Sequence, residues 1–287
     1  MALIFLVEIL IFVFGACIGS FLNCVIYRTE LQADMPKGSP RRKAVSFLRG
    51  KSFCPHCKHT LNWQDLIPVF SFLFLRGKCR YCEAKISIQY PLVEIATGVI
   101  FLLIFNFLNF YNFLNDTTNL TNVNFVVLAK ILNLGFWFYI ASALIIIFVY
   151  DLKHYLIPDK VLFPAAGIVF VYHIFENFVP LGNYFFAVLI GSGLFLFIFL
   201  ISKGRWMGFG DVKLTVLMGF LLGFPNILAG LFLAFFFGAI IGVILMVLNK
   251  KGLKSEIPFG PFLIAGTFMT MFWGEQLIKW YLKIFQI

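Results

Sequence analysis

Long apolar runs alternate with short polar segments along most of the chain. A helix needs about 20 mostly apolar residues to cross the roughly 30 Å hydrocarbon core of a bilayer. Seven runs come close to this length or exceed it, and an eighth is shorter. The pattern therefore predicts an all-α polytopic membrane protein with about eight transmembrane helices, over residues 3–27, 91–114, 125–150, 160–178, 184–202, 212–224, 226–248 and 259–280.

One polar interruption, residues 28–90, is much longer than the others and divides the chain into a first helix (1–27), an insert (28–90) and a membrane domain (91–287). Its first half contains the basic stretch Gly38 to Lys43, which predicts flexible, solvated chain. The insert is the only part of the sequence that resembles a soluble unit. With few large aliphatic residues, it is expected to gain its fold from a bound metal.

Two CxxC motifs in the second half of the insert indicate that metal. Tight CxxC turns each direct two sulfur atoms at one ion, and a pair at this separation is typical of a structural Zn²⁺ site. Disulfides are an alternative that a reducing cytosol disfavours, and a redox CxxC would need a thioredoxin-like βαβ pattern that is absent. The predicted zinc ligands are Cys54, Cys57, Cys79 and Cys82.

The basic residues predict the orientation. The chain has 23 Lys and Arg against 13 Asp and Glu, a net charge of +10, and 12 of the 23 lie between Arg28 and Lys85. Because cytoplasmic loops collect Lys and Arg, the insert is expected in the cytoplasm and both termini outside. Attraction to membrane lipid explains the charge without a nucleic-acid partner. No feature of the sequence specifies an oligomeric state.

Two carboxylates lie at the ends of apolar runs on the predicted cytoplasmic side. Asp151 ends one run, and Asp211 follows Gly208 and Gly210 where another begins. Two Asp from different helices in a poorly hydrated site share one proton, which is the state that an aspartic protease uses. The glycines are expected to allow positive φ and close approach of a substrate backbone. Lys213 either follows the positive-inside pattern or acts electrostatically on the pair.

Two other functions use the same residues. In a transport or assembly protein, Asp151 and Asp211 would bind ions or relay protons, and the zinc knuckle would dock a partner. Such a carrier is expected to contain internal repeats with broken helices, and no convincing repeat is present. A membrane thiol oxidoreductase would place reactive cysteines outside or in the membrane, whereas four of the six lie in the basic insert.

An ordered set of motifs resembles the type IV prepilin peptidases, a group of GxGD aspartic proteases of bacterial inner membranes. GxGD alone would be a weak signal, but the set spans most of the chain. It comprises Gly19-Ser20-Phe21-Leu22-Asn23 with Tyr27-Arg28, the paired CxxC insert, Ile67-Pro68-Val69, Tyr90-Pro91-Leu92-Val93-Glu94, Asp151 with Ile157-Pro158-Asp159, Gly208-Phe209-Gly210-Asp211-Val212-Lys213-Leu214, and Pro258-Phe259-Gly260-Pro261.

The resemblance implies that Asp151 and Asp211 form a catalytic dyad. It implies cleavage of the leader from type IV prepilins or pseudopilins, and methylation of the new amino terminus with S-adenosylmethionine as donor, an activity associated with members that keep the insert. Glu94 is a carboxylate early in a predicted span, where such groups are by default functional. Together with Tyr90 and Pro91, it is the candidate for the methyltransferase site.

Overall fold

The computed structural model describes residues 2–36, 50, 52–108, 123–175, 180–248 and 257–284. These residues form nine α-helices, one 3-10 helix and no strand longer than an isolated bridge, which confirms the all-α fold class. The predicted flexible stretch Gly38 to Lys43 lies outside the described residues. The helices are α1 (Ala2–Ala33), α2 (Phe70–Phe74), α3 (Gln89–Phe107), α4 (Val123–His154), α5 (Asp159–Phe175), α6 (Leu181–Ser202), α7 (Phe209–Leu222), α8 (Asn226–Val247) and α9 (Gly260–Ile284).

Five of these helices, α1, α3, α4, α6 and α8, are long and apolar enough to cross a membrane. The other three predicted spans are also helical, but α5 and α7 have only 17 and 14 residues. A multi-pass membrane protein is thus confirmed, while the number of eight crossings stays a prediction. The chain divides into two compact units, Met1–Ile146 and Ile147–Ile287.

In the first unit, α1 and α3 cross closely because glycines line the contact. A Cβ atom on Gly15 would lie 2.8 Å from the Cα of Gly98, and one on Gly19 would lie 2.7 Å from the Cα of Glu94. Gly15 and Gly19 form the small-xxx-small pattern that lets membrane helices approach. The Asn23 side-chain amide then donates to the carbonyl of Tyr90 over 3.0 Å. These contacts fix the start of α3 against α1.

The insert belongs to the first unit. The 3-10 helix Trp63–Leu66 and the short helix α2 lie between the two CxxC motifs in the chain. Each motif is enclosed by one isolated antiparallel bridge, Phe53 with Thr60 and Lys78 with Lys85. From residue 52 to residue 88, the insert therefore consists of two small knuckles joined by a helical connection.

In the second unit, α7 is the central helix, and it contacts α5, α6, α8 and α9. It is short, but its side chains Leu214, Leu217 and Met218 are fully buried. Gly219 permits the close contact with α6, since a Cβ atom there would lie 2.7 Å from the Cα of Val188. Helix α7 is thereby packed closely among its neighbours, and Asp211 lies in its first turn.

Candidate active site and metal site

Asp151 lies in the last turns of α4, and only 4% of it is exposed. The carbonyl end of a helix is an unfavourable place for a negative charge, because the helix dipole is negative there. The backbone N–H of Gly260 compensates by donating a hydrogen bond to the Asp151 carboxyl. Since Gly260 begins α9, Asp151 faces the positive end of another helix. Its carboxyl is thus fixed by a segment distant in the chain.

Asp211 lies in the first turn of α7 and is 9% exposed. Here the dipole of its own helix favours the carboxylate, and the backbone of Gly208 hydrogen-bonds to it. The charge of Asp151 acts on Asp211, so the two carboxyls are close enough to interact. The second unit therefore brings together the two aspartates that the sequence singles out, in a buried setting.

The expected conformation of the two glycines is wrong. Gly208 has a φ of −73° as the N-cap of α7, and Gly210 belongs to the helix itself; neither has positive φ. Space at Gly210 is limited, because a Cβ atom there would lie 3.3 Å from the side chain of Ile157. A Cβ on Gly208 would meet nothing closer than 3.9 Å. The chain beside Asp211 is therefore open on the Gly208 side.

Lys213 connects the start of α7 to the start of α5. Its Nζ donates to Asp159 Oδ1 over 2.7 Å, and it lies over the rings of Phe163 and Phe209 at 5.7 and 5.4 Å from their centroids. The ion pair is partly exposed, so its contribution to stability is small. This geometry makes Lys213 and Asp159 a brace between two helices.

Gly260 is a site residue that the sequence reasoning did not select. A Cβ atom at this position would lie 2.5 Å from Asp151 Oδ2, so no other residue fits without displacing the carboxyl. The Pro-Phe-Gly-Pro motif around it was visible in the sequence, and Pro261 in the first turn is a typical start of a helix. The sequence did not reveal that the first residue of this helix lies beside the Asp151 carboxyl.

The four predicted zinc ligands converge. The sulfur atoms of Cys54, Cys57, Cys79 and Cys82 all lie within 4.8 Å of one another, and Cys54 Sγ is 3.9 Å from Cys82 Sγ. A tetrahedral ion with Zn–S bonds of about 2.3 Å needs sulfur atoms about 3.8 Å apart. All six cysteines of the chain are free thiols. The cluster therefore has the donors and the spacing for a metal ion.

The two knuckles repeat one backbone arrangement. The Cys54 N–H donates to the His59 carbonyl over 2.9 Å, and the Cys79 N–H donates to the Ala84 carbonyl over 2.8 Å. The residue after each second cysteine has left-handed φ, 59° at Lys58 and 57° at Glu83. Such φ values are uncommon outside glycine. Both turns accept this conformation because it directs two sulfurs to the same point.

Asp65, in the 3-10 helix, ties the connection to the second knuckle. Its carboxylate accepts the Asn62 N–H over 3.1 Å, Arg80 Nε over 2.8 Å and the Tyr81 hydroxyl over 3.0 Å. Burial acts to raise the pKa of Asp65, but these three hydrogen bonds and the charge of Arg80 outweigh it and lower that pKa below its ordinary value. Arg80 and Tyr81 are the two residues inside the second CxxC motif, so Asp65 braces that motif.

The three candidate methyltransferase residues lie together in the first turns of α3. Glu94 is buried; it accepts the Val69 N–H over 2.7 Å and a hydrogen bond from the Ser20 side chain. Pro91 is buried as well, and Tyr90 is half-buried. The Glu94 carboxylate is thus engaged in positioning the chain between the two knuckles.

Two family matches cover successive parts of this chain. Residues 13–108 match the bacterial peptidase A24 N-terminal domain, and residues 138–243 match the type IV leader peptidase family. The chain is 30% identical over 96% of its length to the prepilin leader peptidase/N-methyltransferase of Aeromonas salmonicida, covering 93% of that protein. It belongs to the type IV leader peptidase family.

Two further relatives carry the same name. The Legionella pneumophila protein is 32% identical over 94% of this chain and 92% of its own length, and the Bacillus subtilis protein is 27% identical over 96% and 98%. No solved structure matches the chain. Within this leader peptidase, the aspartates fall in the peptidase match, and the cysteines and Glu94 fall in the N-terminal match. Family membership favours the peptidase over the transport protein.

Proposed function

We propose that this leader peptidase cleaves the leader of type IV prepilins or pseudopilins at the cytoplasmic face of a bacterial inner membrane, and then N-methylates the new amino terminus. The observation that carries the peptidase proposal is the buried pair Asp151 and Asp211. A buried carboxylate is costly unless it is partnered or needed. Here two carboxylates from separate helices lie close enough to interact. Asp211 is in the first turn of α7, and Asp151, at the end of α4, accepts a hydrogen bond from the start of α9.

The pair can hydrolyse a peptide bond by general acid–base chemistry. One ionised carboxylate removes a proton from water as the water oxygen attacks the scissile carbonyl carbon, while the protonated partner donates to the carbonyl oxygen. The C–N bond then breaks, and the leaving amine takes up a proton. The hydrogen bond from Gly260 holds Asp151 for this step. The open space at Gly208 beside Asp211 is where a substrate backbone would approach.

The second activity is proposed for the first unit, with S-adenosylmethionine as the methyl donor. Glu94, Tyr90 and Pro91 remain the candidate residues for this activity. The contacts of Glu94 with the Val69 N–H and the Ser20 side chain support a positioning role.

We further propose that the four-cysteine cluster holds structural Zn²⁺, that the insert and both aspartates face the cytoplasm and that both termini face outside. The sulfur spacing supports the metal, and four thiolates leave no open position for catalysis. The distribution of Lys and Arg supports the topology. We also propose the division into a first helix (1–27), an insert (28–90) and a membrane domain (91–287), which the long polar interruption in the sequence supports.

The test is cleavage of a purified prepilin that has glycine before its cleavage point. We expect the wild-type enzyme to remove the leader, and Asp151→Ala and Asp211→Ala to leave the precursor intact while both variants keep their fold and metal. Asp159→Ala, an exposed aspartate of the same unit, is the matched control and should still cleave. Processing that survives either dyad substitution would reject the proposal. Mass spectrometry of the product also reports whether a methyl group is added.

A further inference from the structure

The connection between the two knuckles exposes an unusual amount of apolar surface. Trp63 is 73% exposed and Phe74 is 83% exposed, and the rings of Phe70 and Phe74 stack one turn apart at 6.5 Å. Helix α2 has no buried residue at all. Soluble domains seldom present a contiguous apolar patch without a partner for it. The exposed large apolar side chains of this segment are Trp63, Leu66, Ile67, Phe70, Leu73 and Phe74.

A hydrogen bond fixes the depth of this segment relative to the membrane. The Val69 N–H donates to Glu94 Oε2 over 2.7 Å, and Glu94 lies about 7 Å along α3 from its start at Gln89, given a rise of 1.5 Å per residue. Helix α3 has 19 residues, about the number needed to cross the hydrocarbon core. Its first turns must therefore lie at the bilayer boundary, and Val69 lies beside them rather than in bulk water.

The backbone conformation of Val69 indicates that contacts with α3 hold this residue beside the start of that helix. Val69 has φ of 62°, and left-handed φ is rare and strained for a β-branched residue. The strain persists only where the surroundings enforce it. The buried Glu94 carboxylate does so from α3, and Asn23 of α1 in turn holds the carbonyl of Tyr90 in the first turn of α3.

Basic residues directly follow the apolar side chains. Arg76 and Lys78 are both exposed, and Lys85, also exposed, lies across the bridge from Lys78. Aromatic and aliphatic side chains next to Lys and Arg are typical of segments that lie in the membrane interface, with the charges at the lipid head groups. This pattern favours a lipid surface over a protein partner.

We propose that residues 63–74 form an interfacial wedge, a segment whose apolar side chains insert into the leaflet beside the start of α3 while Arg76 and Lys78 contact anionic head groups. The insert is then a membrane-anchored module, and its metal cluster is held at the bilayer surface. The proposal does not depend on the peptidase or methyltransferase assignment. It concerns only the first unit and its lipid.

Tryptophan quenching tests the wedge in the full-length protein, reconstituted in nanodiscs of phosphatidylcholine and phosphatidylglycerol. The chain has five tryptophans, so the signal of Trp63 is the difference between wild type and Trp63→Phe. We expect phospholipids brominated high on the acyl chain to remove most of this signal, those brominated near the chain end to remove less, and aqueous iodide to remove little. Quenching by iodide alone would mean a solvated insert and would overturn the proposal.

A matched pair on α2 gives a second test in the Trp63→Phe background. Phe74→Trp replaces the most exposed ring, and Phe72→Trp replaces a half-buried ring that packs on Gly77. Shallow bromolipid should quench the tryptophan at position 74 more strongly than the one at 72. If neither bromolipid nor iodide quenches Trp63 and the tryptophan at position 74, protein covers the segment and the wedge is rejected.

Discussion

The four-cysteine cluster and the aspartate pair are assembled in opposite ways. Each knuckle is closed by hydrogen bonds between residues five apart, and the two knuckles are joined by one short connection. Asp151 and Asp211, in contrast, come from α4 and α7, with two helices between them in the chain, and Gly260 reaches Asp151 from the start of α9. One site is built by local turns, and the other is built by helix packing.

The difference shows how each site should fail. A site made of local turns has little core of its own and depends on its metal, so it should be lost as a unit when ligands are removed. A site made by packing should tolerate the loss of surface contacts, but it should respond strongly to a single extra carbon atom at a close contact. Four variants, each with its own control, test this contrast.

The largest effect is expected from removing one ligand in each knuckle, with Cys54→Ser combined with Cys79→Ser. Structural zinc contributes about 10–16 kcal/mol of apparent binding energy in small domains, so both metal and local fold should be lost. Mass spectrometry should find about one zinc per chain in the wild type and none in the variant, whose insert becomes sensitive to trypsin. Cys17→Ser, at an exposed cysteine outside the cluster, is the control. Stoichiometric zinc in the double variant would contradict the assignment.

The next largest effect is expected from Gly260→Ala in the packed site. The added Cβ atom would lie 2.5 Å from Asp151 Oδ2, and displacement of a catalytic group by about 1 Å can cost about 100-fold in rate. Cleavage should fall by about that factor, while zinc content is unchanged. Gly167→Ala in α5, where the Cβ atom meets nothing within 4 Å, should cleave normally. Equal cleavage rates for Gly260→Ala and Gly167→Ala would show that the close contact between Gly260 and Asp151 does not affect catalysis.

An intermediate effect is expected at Glu94, which connects the insert to α3. Glu94→Leu leaves the Val69 N–H without its acceptor, which costs about 1–3 kcal/mol, whereas Glu94→Gln keeps an acceptor oxygen. We expect Glu94→Leu to lower the stability of the insert and its methylation activity, and Glu94→Gln to rescue both. Chemical unfolding and a methylation assay measure the two effects. If both variants lost methylation activity equally, the negative charge of Glu94 would be needed for methyl transfer, and the positioning role would be contradicted.

The smallest effect is expected from Lys213→Met. The ion pair with Asp159 is partly exposed, so its loss should change stability by less than about 1 kcal/mol. The cleavage rate should stay within about tenfold of wild type, equivalent to about 1.4 kcal/mol. Asp159→Asn should give a change of the same size, since it removes the same contact. A loss as large as that of Gly260→Ala would place Lys213 in the chemistry instead.

The sequence predicted the local site almost completely. The spacing of the CxxC motifs was enough to single out four cysteines whose sulfur atoms lie close together, because each turn involves only neighbouring residues. The bracing of the second knuckle by Asp65 was not foreseen, since it joins Asp65 to Arg80 and Tyr81 through side-chain contacts.

The packed site was predicted in part. Asp151 and Asp211 stood out because carboxylates are rare at the ends of apolar runs. The position of Gly260 and the negative φ of Gly208 required the helix arrangement, because a sequence shows which residues are small but not which backbone approaches them. The sequence analysis did not use the small-xxx-small pair Gly15 and Gly19, which accounts for the close contact of α1 with α3.

The central claim is that Asp151 and Asp211 act as one unit, and cleavage by three variants tests it most directly. Asp151→Asn and Asp211→Asn should each reduce the rate by at least about 100-fold. The variant with both substitutions should be little slower than either single one, because residues that act as a unit are not additive. The shared-proton dyad would be contradicted if the rate loss of the double variant equalled the product of the two single losses. It would also be contradicted if either single variant cleaved at nearly the wild-type rate.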